Sequence, residues 1–363
     1  MTTPKDSQPG APERVVISID AMGGDKGPAV VVSGMDMSAK KNPELAFIVH
    51  GDEAVLGPLV AKKKHLRDRV EIRHAEKTID MTDKPSRAMR TGKGSSMWGA
   101  LDSVKHGEAA IAVSLGNTGA LMASATLRLR RLPGINRPAI AILWPSRSEQ
   151  GFNVMLDVGA DIRADGPDLL QYAVMGASYA RNGLDITRPR IGLLNVGTEE
   201  HKGRAELHEA HDLITRAAPE HDFDFVGYVE GGDIPGDRAD VIVTDGFSGN
   251  IALKTGEGTA SLIGELLRES FKHTIFSQIG AVFAATSLRR LAKRIDPRRK
   301  NGGVFLGLNG AVVKSHGGAD ATGVSAAIKF AFHLAKSGFN ERLAARVASG
   351  AEIGQISGTQ QKE

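Results

Sequence analysis

Nine short runs of apolar, mostly β-branched residues recur along the chain: VVISI (15–19), LAFIVH (45–50), VEIRH (70–74), AAIAVSL (109–115), AIAILW (139–144), FNVMLD (152–157), RIGLLNV (190–196), FDFVGYV (223–229) and DVIVT (240–244). Helix-length stretches separate them. Most of the runs are continuous and do not alternate with polar residues, which suits strands covered by helices on both faces. With 41% hydrophobic but only 5% aromatic residues and 43 glycines, the composition fits a Val/Ile/Ala-rich layered protein better than a β-sandwich. A three-layer α/β/α sandwich around a mostly parallel sheet is therefore expected, as one domain over residues 14–345. Residues 1–13 (MTTPKDSQPGAPE) and 346–363 read as loose tails, the first lacking the apolar stretch of a signal peptide.

Several classes of function are excluded or weakened. The chain has no cysteine, which removes disulfides, thiolate-bound zinc and a thiol nucleophile. No 18-residue apolar run occurs, so no membrane span is expected, and the reading is a cytoplasmic protein. A formal charge of +4 is too small to argue nucleic-acid binding from the total.

In doubly covered sheets, ligands sit beyond the carboxyl ends of the strands. The loops there share a character: DAMGGDKGP (20–28), DMTDKPSRAMRTGKGSSM (80–97), SLGNTGA (114–120), NVGTEEHKG (195–203) and TDGFSGN (244–250) are rich in Gly, Asn, Ser, Thr and single charges. Gly and Asn make tight turns in any protein. Five such loops together suggest one polar pocket, and glycine before a helix N-terminus suits an anion such as phosphate. Neither GxGxxG after a strand nor GxxxxGK[ST] is present, so dinucleotides and P-loop nucleotides lose ground to inorganic phosphate or a small phosphorylated ligand. GxSxG and HExxH are absent as well, and His316 to Asp320 is one residue short of the H-x4-D spacing of some acyltransferases. Any group transfer must then be direct. No metal site and no cofactor are expected.

The segments IDAMGGD (19–25), SLGNTGA (114–120), NVGTEE with Lys202 and Gly203 (195–203), TDGFSGN (244–250) and SHG (315–317) together resemble the bacterial phosphate acyltransferases of phospholipid synthesis. The resemblance runs in order from about residue 15 to about 345. It implies transfer of a long-chain fatty acyl group from acyl carrier protein to inorganic phosphate, with the acyl phosphate passing to a membrane glycerol-phosphate acyltransferase. It also implies a homodimer and a Rossmann-like fold resembling phosphate acetyltransferase and isocitrate-dehydrogenase-like enzymes. Phosphate being the nucleophile, the missing Ser and Cys motifs become expected. On this resemblance Lys202 binds phosphate or protonates the leaving thiolate, unless it is a solvated lysine of a first helical turn. Asn250 donates to an oxyanion, unless it is an N-cap. Asp20, Gly23, Gly24, Asp25, Ser114, Gly116, Asn117, Thr118, Gly119, Gly197, Thr198, Gly249 and His316 are assigned to the phosphate or substrate site, the two acids through donors that they orient. His316 has a structural role as its alternative.

Residues 256–300 carry a separate signal. Ile263, Leu267, Phe271, Ile275, Ile279 and Phe283 recur every four residues, flanked by Leu266, Phe276 and Val282, and predict one apolar helical face. A basic run follows, with Arg289, Arg290, Lys293, Arg294, Arg298, Arg299 and Lys300 against Asp296 alone. Core or dimer packing would explain the stripe. An apolar face beside a basic cluster also suits an anionic membrane surface, held peripherally, or an acidic carrier protein. Two rival functions stay open at this point: a phosphate acetyltransferase using coenzyme A, and a non-catalytic phosphate-responsive scaffold at the membrane.

Overall fold

The computed structural model describes residues 14–295, 302–338 and 342. Both expected tails lie outside the described residues, as do positions 296–300 of the basic run.

All nine apolar runs form strands: β1 (Val15–Asp20), β2 (Leu45–Gly51), β3 (Val70–His74), β4 (Ile111–Ser114), β5 (Ala139–Pro145), β6 (Phe152–Leu156), β7 (Arg190–Leu194), β8 (Asp224–Val229) and β9 (Val241–Val243). Two more, β10 (Gly303–Leu306) and β11 (Ala311–Lys314), complete an eleven-stranded sheet of order β3-β2-β1-β4-β11-β10-β5-β6-β9-β7-β8. Neither of these two was among the runs read as strands, because glycines and an asparagine interrupt the stretch GVFLGLNGAVVK (303–314) that holds them.

The helices are α1 (Pro28–Lys41), α2 (Glu53–Ala61), α3 (Pro85–Thr91), α4 (Ser96–Lys105), α5 (Thr118–Leu129), α6 (Gly166–Leu184), α7 (Ala205–Ala217), α8 (Gly246–Lys272), α9 (Ile275–Ile295) and α10 (Ala321–Lys336). The stretch 80–97, read as one loop, in fact holds α3 and the start of α4. Many of these helices begin on a loop whose Asp, Asn or Ser accepts a first-turn N–H: Asp52, Ser95, Asn117, Asp165, Asp245 and Asp320.

The three layers follow from side-chain alternation. Successive strand residues point to opposite faces. Ile111, Val113, Val313, Val304, Val154 and Val241 join one buried cluster with Val32, Met35 and Ile328 of α1 and α10. The residues between them, Ala112, Val312, Phe305, Met155 and Ile242, join a second with Met97, Leu101 and Leu121 of α4 and α5. The sheet thus has a core on each side.

Strand direction reverses across its middle. β1 runs parallel to β2 and β4, and β4 parallel to β11. β10 is antiparallel to β11 and β5, and β5 is antiparallel to β6. Beyond that point β6, β9, β7 and β8 are parallel to one another. The two parallel halves therefore run in opposite senses, and their carboxyl-end loops form two groups.

Candidate active site

The first group of loops interlocks. Asp20 is buried, and its Oδ2 accepts Ser114 Oγ–H at 2.7 Å while its Oδ1 accepts Met22 N–H at 3.3 Å. Ser114 Oγ in turn accepts Gly116 N–H at 3.0 Å. Burial raises the Asp20 pKa, with these bonds opposing the rise. A Cβ on Gly23 would lie 2.7 Å from Asp20 Oδ2 and 2.9 Å from Gly116 Cα. One on Gly24 would press on Leu115 at 3.2 Å. Asp25 N–H donates to Gly317 C=O at 3.0 Å. These glycines allow three loops to touch, and the polar residues beside them satisfy one another.

The second group is built around Asp157, which follows β6. Its Oδ1 accepts Ile140 N–H at 2.8 Å and its Oδ2 accepts Asp161 N–H at 2.7 Å. The first turn of α8 lies against this loop so closely that a Cβ on Gly249 would stand 1.9 Å from Asp157 C=O. Asp245 is the N-cap, accepting Ser248 N–H at 2.8 Å. The helix therefore begins at Gly246, and Asn250 sits inside it. That removes the N-cap alternative for Asn250, whose Nδ2 donates to Val158 C=O at 3.3 Å.

Between the two groups lies a cavity of about 140 Å³. Its polar lining is Thr118, Asn250, Lys254, Glu257, Lys314, Ser315 and His316, and its apolar wall is Ile140, Ile142, Leu143, Val158 and Leu253. Thr118 is the first residue of α5, just after the Asn117 cap, which accepts Ala120 N–H at 2.8 Å. Asn117 Nδ2 is taken by Met81 C=O at 2.6 Å, and Gly119 packs on Pro85. His316 Nδ1 accepts Gly318 N–H at 3.1 Å, which puts the proton of the neutral ring on Nε2. Burial, reinforced by Lys254 and Lys314, holds its pKa below the ordinary histidine range. Lys314 ends β11 with its Nζ directed to the carbonyls of Leu115, at 3.4 Å, and Ser315. Burial pulls its pKa down to about 8, helped by Lys254 and opposed by Asp25.

Of the residues expected at the site, the cavity gathers Asn250, Thr118 and His316. Asp20, Gly23, Gly24, Asp25, Ser114, Gly116, Asn117, Gly119 and Gly249 form the loops around it without lining it. Lys202, Gly197 and Thr198 lie on the neighbouring loop after β7. Lys202 Nζ is 2.7 Å from Glu199 Oε1, and that carboxylate raises the lysine pKa. Arg204, at 2.5 Å from Asp245, ties this loop to the start of α8. Lys314, Lys254, Glu257 and the Asp157 loop were not singled out from sequence, and Ser315 was named only as part of the SHG segment, without a role at the site. A lysine closing the buried run AVV, directly before SHG, was the available signal for Lys314. Among the described residues no group of three or more His, Cys, Asp or Glu could hold a metal ion.

The family model described as "Fatty acid synthesis protein" matches residues 15–342. A phosphate acyltransferase of Ruegeria sp. is 68% identical over 95% of this chain and 92% of its own. That of Paracoccus denitrificans is 66% identical over 98% and 96%. Among solved structures, a phosphotransacetylase from Streptococcus pyogenes is similar in fold, with a TM-score of 0.57 at 19% identity over 88% of this chain and 94% of that one. The match spans both groups of loops and the cavity between them, and the chain belongs to the phosphate acyltransferase family and is an acyltransferase.

Proposed function

We propose that the enzyme moves a long-chain fatty acyl group from the thioester of acyl carrier protein to inorganic phosphate, and that the acyl phosphate formed feeds phospholipid synthesis. The observation that carries this reading is a single cavity with a cationic, hydrogen-bonding end and an apolar wall. A phosphate oxygen attacks the thioester carbonyl, the C–S bond breaks, and the sulfur leaves as thiolate. No enzyme nucleophile is needed, in keeping with a chain that lacks cysteine. Asn250 has a second amide N–H beyond the one given to Val158, and His316 has its Nε2–H, so both are assigned to the developing oxyanion. Lys202 is assigned to the departing thiolate, once it exchanges Glu199 for the substrate.

A long acyl chain exceeds this cavity and must continue along apolar surface. The α8/α9 pair offers such a surface, and we assign its exposed tip to the face of an anionic membrane, beside a membrane glycerol-phosphate acyltransferase that takes the product. The active form is proposed to be a cytoplasmic homodimer, peripherally bound. No helix among the described residues is long and apolar enough to cross a membrane. The test is to incubate the purified protein with palmitoyl acyl carrier protein and phosphate, and to trap acyl phosphate as the hydroxamate. Product that requires both substrates supports the reading. Turnover of acetyl-coenzyme A with none of the carrier-protein donor assigns the enzyme to the acetyltransferases instead.

A further inference from the structure

We propose that Lys314 and Ser315 form the phosphate site of this cavity, the ammonium and the adjacent hydroxyl donating to the same anion. The inference rests on the functional reading above and names two residues for it.

Position is the first argument. β11 lies inside the sheet, paired with β4 on one side and β10 on the other. Its residues Val312 and Val313 are fully buried, one in each core. Lys314 continues this strand, paired with Ser114, at a place where an apolar residue is the rule. A lysine there costs desolvation that packing does not return.

The second argument is the set of partners. Nζ meets only main-chain carbonyls, of Leu115 and Ser315, and makes no ion pair with a carboxylate among the described residues. The titratable groups around it are Asp20, Asp25, Lys254 and the neutral His316, and Lys254 is itself paired with Glu257 at 2.8 Å. An ammonium carries three N–H donors, so two carbonyls leave one for an occupant of the cavity. Lys202, by contrast, already has a carboxylate partner.

Ser315 supplies an independent observation. Ser315 is fully buried and is one of the residues around the same cavity, and its Oγ has no hydrogen-bond partner among the described residues. Buried hydroxyls are almost always paired, so an orphan in a cavity wall marks a missing acceptor. The first residue of α5, Thr118, lines the same space, which brings the positive end of a twelve-residue helix to it. Cation, orphan hydroxyl and helix terminus converge on one anion.

The test is isothermal titration of inorganic phosphate into wild type, Lys314→Met and Ser315→Ala, alongside steady-state kinetics and melting temperatures. Met fills the same volume without the charge. Lys314→Met is expected to raise both the phosphate Kd and its KM about tenfold or more, with the KM for the acyl donor within about threefold, because one charge-assisted donor is lost. Its Tm should equal or exceed that of wild type, whereas a merely structural lysine would lower it. Ser315→Ala removes an unpartnered group and should hold its Tm while phosphate Kd rises by about threefold or more. An unchanged phosphate Kd in either folded variant overturns the site, even if the enzyme makes acyl phosphate. Phosphate binding that depends on both residues, in a protein that transfers no acyl group, keeps the site and removes the functional reading.

Discussion

At the scale of single residues, His50 shows how burial can dominate a titration. It is 5% exposed, its Nε2 lies 3.0 Å from Ser103 Oγ, and a Cβ on Gly99 would press on its ring. Burial, helped by the charge of Arg73, pulls its pKa from 6.5 down to about 4. A folded-state pKa below the unfolded one contributes stability that is present above pH 6.5 and lost as pH falls through 4. At 1.36 kcal/mol per unit this is worth about 3 kcal/mol. The stability difference between wild type and His50→Gln, from urea unfolding, should therefore shrink as pH is lowered across that window. A difference independent of pH rejects the assignment. At the site itself, Asn250→Ala and Lys202→Ala are each expected to lower turnover by about two to three orders of magnitude with the melting temperature unchanged, the usual scale for one lost electrostatic donor. Near-normal turnover in either variant returns that residue to a structural role. The residues legible in sequence were those in short motifs, such as Asn250 and His316. Lys314 was not, because its significance lies in what is missing around it: a lysine reads the same whether or not a carboxylate faces it in the fold.

Elements were more legible than their contacts. Long apolar runs declare strands through composition alone, and nine were recognisable. β10 and β11 were not, since the Gly-Leu-Asn-Gly in the middle of GVFLGLNGAVVK makes the whole stretch read as a turn. The apolar stripe from Ile263 to Phe283 was visible as a period of four, but the expectation of one helical face is corrected. The helix breaks at His273 and Thr274, where Thr274 Oγ1 accepts Ser277 N–H at 3.0 Å and starts α9, so the stripe is divided between two helices that pack on each other. Periodicity cannot register such a break, because spacing by four continues across it. On α9, Ile275 is 74% exposed and Phe276 and Phe283 are each 87% exposed, an apolar surface that water does not favour. Arg289 and Arg290 are exposed on the same helix, while the side chains of 292–301, Lys293 included, lie outside the described residues. Ile275→Glu/Phe283→Glu should leave the Tm within about a degree or two, since exposed positions move stability by less than about 0.5 kcal/mol. The same double variant should abolish flotation with anionic liposomes. Arg289→Glu/Arg290→Glu should remove the part of binding that salt weakens. Equal flotation of all three proteins, or none for wild type, assigns the face to dimer packing.

The molecule as a whole constrains the order of the reaction. Its sheet joins two parallel halves of opposite sense, and the cavity draws its lining from both: Lys314, Ser315 and Thr118 from one, Asn250 and Val158 from the other. The cationic end and the apolar wall are therefore parts of one space, not separate stations between which an acyl group is carried. The chain contains no cysteine, and no nucleophile elbow of the GxSxG kind interrupts a strand-to-helix turn. A covalent acyl-enzyme thus has no thiol to form on, and in the direct transfer proposed above the rate comes from holding phosphate and the acyl donor together while charge develops. Both substrates then have to be bound before either product leaves. Initial-rate plots against one substrate at several fixed levels of the other should give intersecting lines. Thiol release from acyl carrier protein should be undetectable in a single turnover without phosphate, and mass spectrometry of the enzyme after exposure to the donor alone should show the unmodified mass. Parallel lines, a burst of thiol without phosphate, or an added acyl mass would each establish a covalent intermediate and replace direct attack by a two-step transfer.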